Sequence, residues 1–182
     1  MKLGLMMTAM FALAGCGALP PADHYTVYID PAFGSDQSAA IVEGLQEWER
    51  AVGVKFDIAM VKVELDKSYY NSISFHPSTY QEINEITPGS AYIGLTEYEK
   101  DSWNHVYNYS NVLLDYKLDD ATFAWAVRHE VGHALGLNHI GAGNLMCKNM
   151  ACASRHVQCA DQSEYYQLRN VHKFFCTPPI TD

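Results

Sequence analysis

Cationic side chains are scarce in this chain. Its 182 residues include 12 Lys and Arg against 21 Asp and Glu, a formal net charge of -9, and the cations nowhere cluster. Phosphate binding needs clustered Lys and Arg, so a nucleic-acid partner is excluded. Internal repeats and low-complexity tracts are missing, which leaves one domain's worth of ordinary globular chain. After the N-terminal residues no apolar run is long enough to span a bilayer. No loop carries the regular oxygen-ligand spacing of an EF-hand, so calcium stays unassigned despite acids such as Asp57, Asp101 and Asp161. Cysteine is absent between Cys16 and Cys147, and then Cys147, Cys152, Cys159 and Cys176 crowd into the last quarter. An even number at such spacing in an exported chain predicts two disulfides.

Export is predicted by the other end. "MKLGLMMTAMFALAGC" has one lysine followed by an apolar run of about a dozen residues, the layout of a secretory signal. The run closes on Leu13-Ala14-Gly15-Cys16, which resembles the bacterial lipobox. That resemblance implies cleavage before Cys16, acylation of its thiol and attachment to a membrane of the cell envelope. With Gly17 rather than aspartate after the cysteine, an outer-membrane destination is open in a two-membrane host. Two or more acyl chains anchor stably where one does not. The expected organisation is a signal peptide over 1–15, a lipidated tether over 16–23 ("GALPPAD" has the small and proline residues of a linker) and one globular domain over 24–182.

Within that domain, "HYTVYID" alternates Tyr25, Val27 and Ile29 as a half-buried strand does. Ile41, Leu45, Trp48 and Val52 form one helical stripe between Ser38 and Val52, with Ser35 or Asp36 as N-cap and Gly53 as the stop. "VKFDIAMVKV" puts Val54, Phe56, Ile58 and Met60 on one strand face, and "NSISFHP", "SAYIGLT" and "NVLLDYKL" read as further strands. Asp119 or Asp120 caps the helix "ATFAWAVRHEVGHALGL". "SEYYQLRNVHKFF" reads as a closing helix with Tyr165, Leu168, Val171 and Phe175 on one face.

The second of these helices holds the chemistry. His129 and His133 are four residues apart, so their rings share one face, a turn apart, and can grip one metal ion. Glu130 is rotated by about 100° from His129 and sits beside the ion, placed to act on its water rather than to ligate. On an unbroken helix His139 would lie about 9 Å beyond His133 and roughly 240° around, facing away. Gly136 can end the helix in the left-handed conformation and turn the chain back. Three neutral imidazoles suit Zn2+ with a fourth corner open for water. The five fixed positions arise by chance with a probability on the order of 10⁻⁵ in a chain of this length. The lone histidines His24, His76, His105, His156 and His172 read as ordinary satisfied or exposed rings.

"HEVGHALGLNH" resembles the HExxHxxGxxH signature of the metzincin zinc endopeptidases, and "GNLMC" offers Met146 for their methionine turn. The helix-strand "IVEGLQEWERAVGVKF" and "LLDYKLDD" ahead of the motif helix are similar to the matrixin-like branch. The resemblance implies an α+β fold with a twisted mixed sheet, an N-terminal helix, an active-site helix and a C-terminal helix. It implies hydrolysis of peptide bonds in proteins or peptides outside the cytoplasm, with His129, His133 and His139 on zinc and Glu130 as general base on the zinc-bound water. An extended substrate would join an exposed sheet edge, for which Ala91, Tyr92, Ile93, Gly94 and Leu95 are the candidates. Ile140 after the third histidine departs from the familiar subfamilies. Lys148 stands where some members carry a zinc-binding tyrosine, so no fifth ligand is expected. The few residues between Cys16 and the first strand leave no room for an inhibitory prosegment, so no built-in latency is expected. Two alternatives stand beside this reading: a lipid-anchored zinc-containing binding protein without catalysis, and a hydrolase of small peptides. The oligomeric state is not encoded in any feature of the sequence.

A closing helix over Ser163 to Phe175 would be close to 20 Å long and would hold Cys159 and Cys176 apart. Excluding that pair excludes its complement. The expected pairings are then Cys147–Cys159 with Cys152–Cys176, or Cys147–Cys176 with Cys152–Cys159.

Overall fold

The structure, a computed structural model, describes residues 24–66, 68–89, 91–98, 109–169, 176 and 178. The signal segment, Cys16 and the tether lie outside the described residues, as do Asp101, His105, His172 and the Val171 and Phe175 expected on the closing helix. Five strands form one sheet in the order β2-β1-β3-β5-β4. These are β1 (His24–Ile29), β2 (Lys55–Ala59), β3 (Ser72–Ser78), β4 (Gly94–Tyr98) and β5 (Tyr109–Asp115). The first four in that order run parallel, and β4 lies antiparallel on β5 as an edge. Four helices complete the fold: α1 (Ser35–Val52), α2 (Tyr80–Ile86), α3 (Asp120–Ala134) and α4 (Cys159–Leu168). Among the described residues no helix is long and apolar enough to cross a membrane.

The stripe predicted on α1 is the centre of the core. Ile41, Leu45 and Trp48 are fully buried and Val52 nearly so, against Phe123, Ala126, Val127 and Val131 of α3. Each such side chain contributes about 1.5–3 kcal/mol by leaving water. Trp48 also donates its indole N–H to Arg128 O at 2.9 Å, which fixes α1 against the helix that carries the motif. The helix stops at Gly53, in the left-handed region at φ 78°. Its N-cap is Gly34 rather than Ser35 or Asp36, because the Gln37 side chain reaches back to accept from Gly34 N.

Three expectations are corrected and one helix is added. Strand β2 ends at Ala59, and Ile58 and Met60 are exposed, because β2 is an outer strand of the sheet. "SAYIGLT" enters the sheet only at Gly94: the Asn84 side chain takes both Tyr92 N and Tyr92 O, which holds the preceding residues out of the ladder. Helix α2 was not read from the sequence, although Thr79 and Glu82 form a reciprocal capping box ahead of it. Finally, the last helix starts and ends earlier than expected. Asp161 accepts from Gln158 N at 2.7 Å and starts it at Cys159, while Leu168 is exposed and no longer belongs to a buried stripe.

That shift overturns the cysteine argument. The disulfides are Cys147–Cys152 and Cys159–Cys176, with Cα separations of 6.0 and 5.4 Å. Neither of the two expected pairings occurs. A helix of 10 residues is only about 15 Å long. The chain from Arg169 to Cys176 can span up to about 26 Å, enough to return to the first turn.

Candidate active site

Helix α3 begins at Asp119, whose carboxylate accepts from Thr122 N and Thr122 Oγ1. Its last turn closes with Gly136 N donating to His133 O and Leu137 N donating to Gly132 O. Gly136 stands at φ 96°, a conformation that costs a side-chain-bearing residue about 1–2 kcal/mol. The reversal brings His139 back over the helix, as the spacing required. His139 Nε2 lies 3.3 Å from His129 Nε2 and 3.2 Å from His133 Nε2.

Two nitrogens bound to zinc at about 2.0–2.1 Å in a tetrahedron stand roughly 3.3 Å apart, so the three rings fit a zinc site as they are. The other ring nitrogens agree. His129 Nδ1 donates to Leu145 O at 2.9 Å and His133 Nδ1 to Leu137 O at 2.8 Å, which leaves each Nε2 lone pair turned inward. Burial lowers the pKa of all three, that of His129 to about 3 with the charge of His133 as the next cause. They are neutral at pH 7, the ligating form. Among the described residues these three form the one group of His, Cys, Asp or Glu that converges in this way.

Glu130 is buried beside them, and its Oε2 accepts from Thr96 Oγ1 of β4 at 2.7 Å. Burial pushes its carboxyl up to about 7, with the Thr96 hydrogen bonds pulling the other way. A proton-transfer group poised near neutral pH is what general acid–base chemistry uses.

Met146 is fully buried beneath this centre. Its sulfur packs on Gly132, where a Cβ would collide with it, so any larger residue there would have to push the methionine side chain aside. The turn is held by Asp161 of α4, whose carboxylate accepts from both Leu145 N and Met146 N at 3.1 Å. Burial raises the Asp161 pKa, and the three backbone N–H groups oppose that rise. Since Leu145 O accepts from His129, Asp161 supports the placement of His129 at one remove. The sequence reading had weighed Asp161 only for calcium; its position three residues after Gln158, at the start of a helix, was the available signal. Glu47 is a second such tie. It is buried on α1 and accepts from Arg128 Nε and Val157 N at 2.7 Å, and pairs with His156 at 3.2 Å. His76 is buried rather than solvated, with Nε2 against Ser74 Oγ at 2.8 Å.

The histidines and Glu130 open into a cleft of about 540 Å³. One wall is formed by the candidates Ala91, Tyr92, Ile93, Gly94 and Leu95, of which only the last two lie in β4. The opposite wall holds Trp125 and the Lys148–Met150 loop closed by the Cys147–Cys152 disulfide. Ile93 O accepts from Asp115 N, so in the antiparallel ladder Gly94, Thr96 and Tyr98 turn their backbone groups outward. Among the described residues no strand pairs with that edge.

The profile of Metallo-peptidase family M12B Reprolysin-like matches residues 22–140, from before β1 to the residue after His139. It is a reprolysin-like profile, whereas the sequence layout resembled the matrixin-like branch. Two solved structures of myroilysin are similar at low identity. One is 18% identical over 65% of this chain and 50% of its own, with a TM-score of 0.36. The other is 20% identical over 65% and 45%, with a TM-score of 0.33. The chain thus spans about half the length of these structures. No curated protein matches it.

Proposed function

We propose that this chain, which belongs to the reprolysin-like metallopeptidases of family M12B, is a zinc-dependent endopeptidase acting outside the cytoplasm from a lipid anchor on Cys16. The observation that carries the reading is the convergence of three neutral imidazole nitrogens, at zinc-compatible spacing, beside a buried carboxyl in an open cleft. When bound, zinc supplies Lewis acidity, polarising the scissile carbonyl and making a water acidic. His129, His133 and His139 hold it through Nε2. Leu145 O and Leu137 O fix the tautomers of His129 and His133. Glu130 takes the proton of the attacking water on a carboxylate oxygen and passes it to the leaving amine. The outward backbone groups of Gly94 and Thr96 align an extended peptide by strand addition. Disulfides after the methionine turn accord with an oxidising compartment.

The purified chain, incubated with unfolded protein and with dipeptides, should cleave the protein and stop on chelation. Glu130→Ala should retain zinc by elemental analysis while losing about 10²–10⁴-fold in rate. Cleavage of dipeptides alone would move the assignment to a small-peptide hydrolase, and zinc retention with no hydrolysis of either substrate to a binding protein. For the anchor, globomycin should trap an uncut precursor, and lipid labelling that persists in Cys16→Ser would refute it.

A further inference from the structure

Strand β4 meets the site in two ways. Its outer backbone edge faces the cleft, and the side chains of Gly94 and Thr96, two residues apart and so on one face, both meet Glu130. Thr96 is buried, and its hydroxyl lies 2.7 Å from Glu130 Oε2 and 3.1 Å from Glu130 O. That three-centre contact ties the carboxylate to the backbone of its own residue. A Cβ at Gly94 would stand 2.9 Å from both Oε1 and Cγ of Glu130, so only glycine lets the carboxyl lie where it does. Oε1 itself takes no hydrogen bond among the described residues.

We propose that Thr96 is a positioning residue for Glu130, and that Gly94 and Thr96 together fix the base relative to the strand that receives the substrate. The inference rests on the reading of Glu130 as the base. Its physical content is that a glutamate has three rotatable bonds, and a base must stand within hydrogen-bond reach of the proton it removes. One oxygen is held by Thr96 and the other stays available for proton transfer. Because the same strand aligns the peptide, base and scissile bond share one rigid reference. The sequence assigns Thr96 no role beyond its strand, since a threonine facing inward on an edge strand carries no signature of its own.

The test uses the zinc-loaded chain and three substitutions. Thr96→Val keeps the shape and removes the hydroxyl, and Thr96→Ser restores it. Gly94→Ala adds the colliding methyl group. Thr96→Val and Gly94→Ala should each lower kcat by about ten- to a hundredfold with KM nearly unchanged, because the edge backbone is intact. Thr96→Ser should return kcat to within a few-fold of the parent, and zinc content should be equal throughout. Crystal structures of the variants provide a readout independent of turnover. Glu130 should occupy one conformer in the parent and in Thr96→Ser, and be displaced or divided between conformers in Thr96→Val. An unmoved Glu130 in Thr96→Val overturns the proposal whatever the activity, as does a kcat that is unchanged or higher. If the parent cleaves nothing, the reading of the site as a peptidase fails, and the conformers of Glu130 still decide whether Thr96 holds it.

Discussion

Two adjoining stretches build the cleft by opposite means. His129 to His139 is organised largely locally: an N-capped helix, two histidines four residues apart, a left-handed glycine and, for His133, a carbonyl four residues away; His129 alone reaches further, to Leu145 O. The described residues from Ile140 to Arg169 are organised mostly by partners further away in the chain. Their turn is held by Asp161, their middle by Glu47 of α1, and their two ends by disulfides. The family profile matches the first stretch to its end and stops at Ile140. The difference teaches that the convergence of the three histidines is set mainly by one short segment, while the support that reaches His129 through Leu145 O, and one wall of the cleft, are properties of the assembled domain.

The sharpest way to break that contrast is to remove a ligand. His139→Ala should weaken zinc binding by at least about 100-fold, measured by competition with a chromogenic chelator. Unchanged occupancy would show that the local segment does not hold the ion as described. Next comes the distant support. Asp161→Asn keeps the shape but removes the charge that three backbone N–H groups share, and should cost about 1.5–3 kcal/mol in calorimetric unfolding. Zinc affinity should fall by roughly tenfold, because His129 is oriented through the same turn. A stability loss with no change in affinity would mean that the two stretches are uncoupled.

A smaller effect is expected from the staple. Replacing Cys147 and Cys152 together by serine should impair peptide cleavage more than zinc retention, since the loop carries Lys148, Asn149 and Met150 into the cleft while the ligands lie outside it. Equal loss of both would place the loop in the metal's support rather than in the wall. The smallest effect concerns charge. Lys148 lines the cleft, and its charge is among the causes that lower the His139 pKa. Peptides with an acidic residue beside the scissile bond should be cleaved a few-fold faster than those with lysine there, about 1 kcal/mol of exposed Coulomb attraction. Lys148→Glu should reverse the order, and competition between the two peptides in one tube reads it directly.

How much was legible follows the same line. The α1 stripe, β1, the Asp119 cap and the Gly136 turn were readable because each depends on residues within a few positions of one another. The start of β4 was not, because Asn84 decides it through two hydrogen bonds to Tyr92. The disulfide pairing differs from expectation for a related reason: an apolar period does not mark the ends of the last helix, which Asp161 starts at Cys159 and which closes at Leu168.

The sequence by itself determined that the three histidines converge, for helix periodicity and one glycine bring His129, His133 and His139 to a point. Only the tertiary structure decided what surrounds that point. The Thr96 hydroxyl on Glu130 and the Asp161 carboxylate under Met146 join residues far apart in the chain, and such contacts leave no period in it; the Cys147–Cys152 pairing that closes the Lys148–Met150 loop likewise follows from where the fold places the cysteines. They form only once the α1 core has fixed α3 against the sheet.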